Sequence, residues 1–185
     1  MIGETERLRL RELTTDDAAF ILRLVNDPAW LEYIGDRGIR SLDGARDYLA
    51  SGPLKMYREH GFGLWLVERK TDGAALGICG LLKRETLADV DLGFAFQPEA
   101  RGHGYAHEAA VASLDYAVRR VGLRRVVALT APVNPRSIRL LEKLGFRFER
   151  MVQLTTHGGE SRLFGWSVAT QNAAVAVETN CRGSV

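Results

Sequence analysis

The segment from Asp89 to Gly122 constrains the fold more than any other. A β-rich run, DVDLGFAF, passes through QPEARGHGYAH into the helical repeat EAAVASLDYAVRRV and stops at a glycine. Such an order places the N-terminus of a helix at the end of a strand, with only small residues between them. The first N–H groups of a helix lack intrahelical partners and carry the positive end of its dipole. Glycines at that point therefore admit an anion to the bare backbone. Glycine is also the ordinary residue of any turn that needs a positive φ. Both readings stand on these residues alone, and the rest of the chain has to separate them.

Upstream, Leu8 and Leu10 alternate with Arg7, Arg9 and Arg11, the period-two signature of a half-exposed strand over 5–13. Thr14 and Thr15 precede Asp16 and Asp17 at the head of a helix that buries Phe20, Ile21, Leu24 and Val25 and is broken by Pro28. Residues 29–40 read as irregular or briefly helical, and Ser41 caps a second helix with Leu42, Ala45, Tyr48 and Leu49 on its apolar face. GFGLWLVERKTDGAALGICGLLKRE gives two strands joined by a turn at Lys70–Gly73. Downstream of the glycines, 124–132 reads as a buried strand, and a helix led by Asn134, Pro135 and Ser137 runs to a left-handed cap at Gly145. Two final strands, 146–153 and 162–168, join across His157, Gly158 and Gly159. The order is β-α-α-β-β-β-α-β-α-β-β: about seven strands and four helices in one domain over 1–168, followed by a loosely held tail over 169–185.

Composition narrows the function. A formal charge of +2 gives no bulk attraction to nucleic acid or to a membrane surface. No apolar run approaches the ~20 residues of a spanning helix. MIGETERLRLRE is charged from its fourth residue and lacks the apolar core of a signal peptide, so a cytoplasmic protein is expected. Cys79 and Cys181 stand without a CxxC or a Cys/His cluster, which implies neither disulfide nor zinc. His103 and His107 have an i,i+4 spacing but no third ligand follows them in the helix, so no metal is expected.

With the Asp89–Phe96 strand, RGHGYA and the asparagine-led helix together, the chain resembles the GNAT superfamily of acetyl-CoA-dependent N-acetyltransferases. Arg101, Gly104 and Ala106 fall in register on that superfamily's Q/R-x-x-G-x-G/A loop, with Tyr105 and Glu108 as in the branch to which the second motif belongs. That motif, NPRSIRLLEKLGF over 134–146, is similar to a segment of the ribosomal-protein alanine N-acetyltransferases. The resemblance implies an α/β (α+β) fold with a mixed, mostly antiparallel central sheet splayed at its centre and helices on its faces. It implies that the backbone of Arg101, Gly102, His103, Gly104, Tyr105 and Ala106 binds the CoA pyrophosphate. It implies further that Phe94, Ala95 and Phe96 pair their backbone with the pantetheine arm, with Gly93 accommodating a bulge. Asn134 is implied as a pantetheine contact, alternatively a turn residue before Pro135. Ser137 is implied as the proton donor to the departing thiolate, alternatively a helix cap.

The implied reaction is direct attack of an amine on the acetyl thioester through a tetrahedral oxyanion stabilised by backbone N–H groups. The amine must first lose a proton. At pH 7 that costs roughly 4.6 kcal/mol for a lysine side chain and about 1 kcal/mol for an α-amine. The ribosomal-protein branch carries a glutamate before the final hairpin turn, where this chain has Leu154, Thr155 and Thr156. Other superfamily members carry a tyrosine where this chain has Leu141. Ser137 therefore inherits the acid's role, and Asp91, Glu85 and Glu160 are the candidate bases, with Asp91 foremost. Cys79, in an apolar run, reads as packing. The acceptor pocket is expected from the first two helices, the loop 30–40 and the final hairpin, with Trp30, Tyr33 and Trp65 as lining candidates.

Other classes fare less well. A dinucleotide loop needs a third glycine where His107 stands and an acid where Arg124 and Arg125 stand, and a Walker loop needs GK[ST]. A nucleic-acid module would use Arg7, Arg9 and Arg11 with Arg119, Arg120, Arg124 and Arg125, against a nearly balanced charge. A CoA-binding sensor without catalysis is the other alternative. The acceptor is expected to be a small-molecule or protein N-terminal amine, and the protein a monomer or homodimer.

Overall fold

Alternating apolar residues and turn signals assemble, among the described residues, one sheet of eight strands in the order β1-β2-β3-β4-β5-β6-β8-β7. The strands are β1 (Gly3–Glu4), β2 (Leu8–Glu12), β3 (Leu64–Arg69), β4 (Ala75–Leu82), β5 (Asp91–Phe96), β6 (Arg125–Thr130), β7 (Arg147–Gln153) and β8 (Glu160–Ser167). The helices are α1 (Ala18–Val25), α2 (Pro28–Tyr33), α3 (Leu42–Ser51), α4 (Pro53–His60), α5 (Tyr105–Tyr116) and α6 (Pro135–Lys143). This is a computed structural model, and it describes residues 2–153 and 159–169. Every strand pairing is antiparallel except β5 with β6.

The mixed, mostly antiparallel sheet agrees with the sequence; the counts differ. The eighth strand is the two-residue β1, where Gly3 pairs with Leu10 and Glu4 with Arg9, too short to leave a periodic signal. Among the described residues six α-helices replace the expected four because α2 and α4 each begin at a proline in the first turn. Pro28 is therefore a helix start: its missing N–H is one that a first turn leaves unpaired anyway. α4 buries little of its own surface. It is held instead by Tyr57, whose hydroxyl accepts from Leu13 N at 3.1 Å and donates to the Leu64 carbonyl. The expected caps are present: Ser41 Oγ accepts from Gly44 N at 3.1 Å, and Asp17 folds back on Thr14 N at 2.8 Å. Gly122 and Gly145 are both left-handed.

No bulge occurs at Gly93. The β4–β5 register runs unbroken from Gly77–Phe96 to Leu82–Asp91. A side chain there would crowd its neighbours instead: a Cβ would lie 2.8 Å from Leu82 Cδ1, which would have to shift, and 3.3 Å from Leu64 Cδ2. The final hairpin turn at 154–158 and residues 170–185 of the tail lie outside the described residues.

The pleat divides the core between the two faces of the sheet. Leu8, Leu10, Trp65, Cys79, Leu81 and Leu92 pack on one face with Ala109, Ala110 and Leu114 of α5 and Leu141 of α6. Leu64, Leu66 and Ile78 pack on the other with Ile21, Leu24, Trp30 and Leu49 from α1–α3. β4 contributes to both cores, which is why its sequence ALGICGLL is continuously apolar.

Candidate active site

The site begins where the sheet fails to close. β5 and β6 run parallel but share a single registered pair, Asp91–Val127, although β5 continues to Phe96 and β6 to Thr130. Val127 N donates to Val90 O at 2.9 Å, so the even-numbered residues of β5 turn their backbone groups towards β6. Past the last pair, the N–H and C=O of Phe94 therefore face a gap. Its mouth lies at the carboxyl ends of two parallel strands, the usual place for a ligand in a sheet of this kind. Phe94 and Ala95 are half-buried and Phe96 is buried.

Both strands then feed helices whose N-termini flank that mouth. After β5, Gly102 and Gly104 each adopt φ of +81°, a conformation that other residues reach only with strain. Gly104 is the N-cap of α5 and has no side chain to offer. The first helical bond runs from Glu108 N to Gly104 O at 3.1 Å, which leaves the N–H groups of Tyr105, Ala106 and His107 without helical partners. A Cβ built on Gly102 meets no atom within 4 Å. A Cβ on Gly104 would meet Arg7 Nη2 at 3.4 Å, so the loop presents open backbone donors beside a guanidinium, an arrangement that suits a pyrophosphate. α5 begins at Tyr105, three residues earlier than the apolar period indicates, because the helix starts from this glycine.

Two charge pairs brace the loop. Glu108 reaches back to the turn before β2. It accepts from Arg7 N at 3.0 Å, from Arg7 Nε at 2.7 Å and from Thr5 Oγ1, and its Oε2 lies 2.6 Å from Arg7 Nη2. Arg7 also donates to His103 O at 3.0 Å and lies 4.8 Å over the Tyr105 ring. At the other end of the loop, Arg101 Nε donates to Phe96 O at 2.9 Å while its Nη2 binds the buried carboxylate of Asp27. Two of the three guanidinium nitrogens of Arg101 are thus committed to the protein. His103 is exposed, and its Nδ1 lies 2.9 Å from Arg101 O.

After β6, Asn134 caps α6: its Oδ1 accepts from Ser137 N at 3.1 Å. The cap is therefore Asn134, with Ser137 at the third helical position. The Ser137 hydroxyl makes no hydrogen bond to another described residue. Asn134 and Ser137 are both half-buried beside the gap.

Asp91 sits at the apex of the gap with 1% exposure. Its two carboxylate oxygens lie 3.0 and 3.1 Å from Arg84 Nε. Burial pushes its pKa up and Arg84 opposes that rise. Glu85 and Glu160, the other candidate bases, are exposed. Trp65 is wholly buried against Tyr116 and Trp30 is buried in the α1–α3 core, so both serve packing; Tyr33 is half-buried. Cys79 is wholly buried, with its Sγ 3.4 Å from Ser113 Oγ. Burial pushes the thiol up to about 12. Iodoacetamide at pH 8 should accordingly leave Cys79 unmodified in the native protein and alkylate it after denaturation, as read by peptide mass spectrometry.

Sequence reasoning missed Asp27 and Arg7. For Asp27 a local signal existed, an aspartate directly before a proline at the first position of a helix. For Arg7 none did, because its partner lies 101 residues away and its strand position is simply an outward one.

A family model described as an acetyltransferase (GNAT) domain matches residues 7–147. The Bacillus subtilis protein YkkB is 32% identical over 152 residues, covering 80% of this chain and 87% of that protein. Among solved structures, the Vibrio cholerae spermidine N-acetyltransferase in complex with CoA and spermine superposes with a TM-score of 0.73 at 21% identity, over 90% of this chain and 98% of that one. The ribosomal-protein-S5-alanine acetyltransferase of Vibrio fischeri gives 0.73 at 18% identity, over 89% and 95%. At these identities the likeness of this chain to the two solved structures is one of fold.

Proposed function

The chain belongs to the GNAT acetyltransferase family, and from that premise we propose that it transfers the acetyl group of acetyl-CoA to a primary amine by direct attack. The observation that carries the reading is the β5–β6 gap, flanked by uncovered N–H groups of α5 on one side and by Ser137 on the other. The thioester supplies the activated acyl group; the chain binds, orients and moves protons. The loop from Gly102 to Ala106, with the first turn of α5, would hold the pyrophosphate through backbone N–H groups. The unpaired edge at Phe94 would align the pantetheine arm as an added strand.

The proton inventory is balanced by two side chains. The acceptor amine gives up its protons as the amide forms, and the sulfur that leaves takes one. Ser137 Oγ, which has no hydrogen-bond partner among the described residues, would donate to that sulfur. Asp91 is the only one of the three candidate carboxylates that is buried at the gap, and it acts as base once ionised. Because burial raises its pKa, the required form is lost as pH falls through a value above 3.8. The log of kcat/KM should therefore rise with pH through that region in the native enzyme, and Asp91→Asn should flatten the rise. A profile unchanged in Asp91→Asn removes Asp91 from the mechanism.

The structures superposed above include enzymes named for spermidine and for a ribosomal-protein alanine, which frames the acceptor as a polyamine or a protein N-terminus. The test is thiol release from acetyl-CoA over a panel containing spermidine, alanyl and seryl peptides and lysine, with the acetylated product identified by mass. Equimolar CoA and acetylated amine support the reading; acetyl-CoA binding without turnover on the whole panel favours a sensor instead.

A further inference from the structure

Asp27 lies where two parts of the molecule meet, parts that the acetyl-transfer reading assigns to different substrates. Its side chain is 5% exposed and pairs with Arg101 at the head of the glycine loop. The same Oδ1 accepts from Ala29 N at 3.1 Å and from Trp30 N at 3.4 Å, forming the N-cap of α2. Arg101 in turn holds the carbonyl at the end of β5. The end of β5, the loop and α2 thus converge on one carboxylate.

The neighbouring residue completes the arrangement. Asn26 Nδ2 donates to Ile39 O at 2.9 Å, and its Oδ1 accepts from Arg40 Nη1 at 2.9 Å. The 28–40 segment is therefore pinned at one end by Asp27 and at the other by Asn26. Between these pins it carries Gly35 and Gly38, both at positive φ, and the exposed apolar side chains Leu31 and Ile34. α2 and the loop after it are the segment expected to help form the acceptor pocket, and through Asp27 and Arg101 they are tied to the end of β5.

We propose that Asp27 is a positioning residue that couples the two substrates' sites: by fixing Arg101 and the first turn of α2 together, it lets occupation of the glycine loop order the segment that receives the amine. This rests on the acetyl-CoA reading of the loop. Two substitutions separate the coupling from simple folding. Asp27→Asn retains an effective helix cap but discharges the pair, and Arg101→Gln leaves the cap untouched. The purified full chain is followed by amide hydrogen exchange with and without CoA.

In the native protein, CoA should slow exchange in peptides over 101–108 and also over 28–33, the latter by about tenfold, a usual size for coupling between sites. In either variant the slowing over 101–108 should persist while that over 28–33 disappears, and the double variant should be no worse than either single one. In steady state the acceptor KM should rise more than kcat falls. Slowing over 28–33 that survives in a variant, or is absent from the native protein while 101–108 responds, overturns the coupling alone. Absence of any response over 101–108 in the native protein overturns the coupling and the loop's reading together. If Asp27→Asn fails to fold, Arg101→Gln decides the matter.

Discussion

Gly104→Val should raise the Kd for acetyl-CoA at least about a hundredfold while leaving the protein folded. Gly104 is the N-cap of α5 at φ +81° and stands among the donors assigned to the pyrophosphate. A β-branched residue in that conformation costs about 1–3 kcal/mol and must be relieved by a local shift of the backbone. Losing two charge-assisted hydrogen bonds of about 1.5–3 kcal/mol each is enough for the hundredfold effect. The control is Gly73→Val in the β3–β4 turn, where φ is +70° and a Cβ meets nothing within 4 Å. It carries a similar conformational cost away from the site, so it should lose similar thermal stability and bind acetyl-CoA as the native protein does. Titration calorimetry on the three proteins reads the difference. Equal affinity in all three would make Gly102 and Gly104 a turn and nothing more.

Ser137→Ala should lower kcat by about a hundredfold, the lower range for a positioned acid, and leave the Kd for acetyl-CoA nearly unchanged. The Ser137 hydroxyl bonds to no described residue, and the N–H that anchors the turn to Asn134 Oδ1 survives the substitution. Thermal stability should therefore hold. Asn134→Ala makes the contrast, since it removes the α6 cap and should cost about 1 kcal/mol of stability as well as activity. Single-turnover and steady-state rates distinguish the two variants. An unchanged kcat in Ser137→Ala would assign the proton to another donor.

What the sequence disclosed depended on how local the cause was. The strands β3, β4 and β5 announced themselves through apolar runs and a DG turn, and α3 through Ser41, because pleat, turn and cap are set by neighbours in the chain. The glycine loop was legible for the same reason: two positive-φ positions before a helical repeat are a local pattern. α2 and α4 were hidden because a proline that ends one helix looks like a proline that starts the next. The divergence of β5 from β6 follows from the family resemblance and from no local pattern, since strand pairing joins Asp91 to Val127 across an intervening loop and helix. No local pattern marks the braces either. Arg7 with Glu108 and Arg101 with Asp27 are partners 101 and 74 residues apart, and nothing in their own segments specifies the other. Gly93 shows the same limit: the expected bulge is absent, and what crowds the position are the side chains of Leu64 and Leu82 on two other strands.

The central claim is that the uncovered N–H groups after β5 and the unpaired edge of the same strand hold one ligand together. A crystal structure with CoA bound tests it most directly. The pyrophosphate should lie within hydrogen-bond reach of the backbone N–H groups between Gly102 and His107. The pantetheine should bond to the backbone of Phe94, and the sulfur should end beside Ser137 Oγ. CoA bound away from the gap, or with its sulfur remote from Ser137, would contradict it.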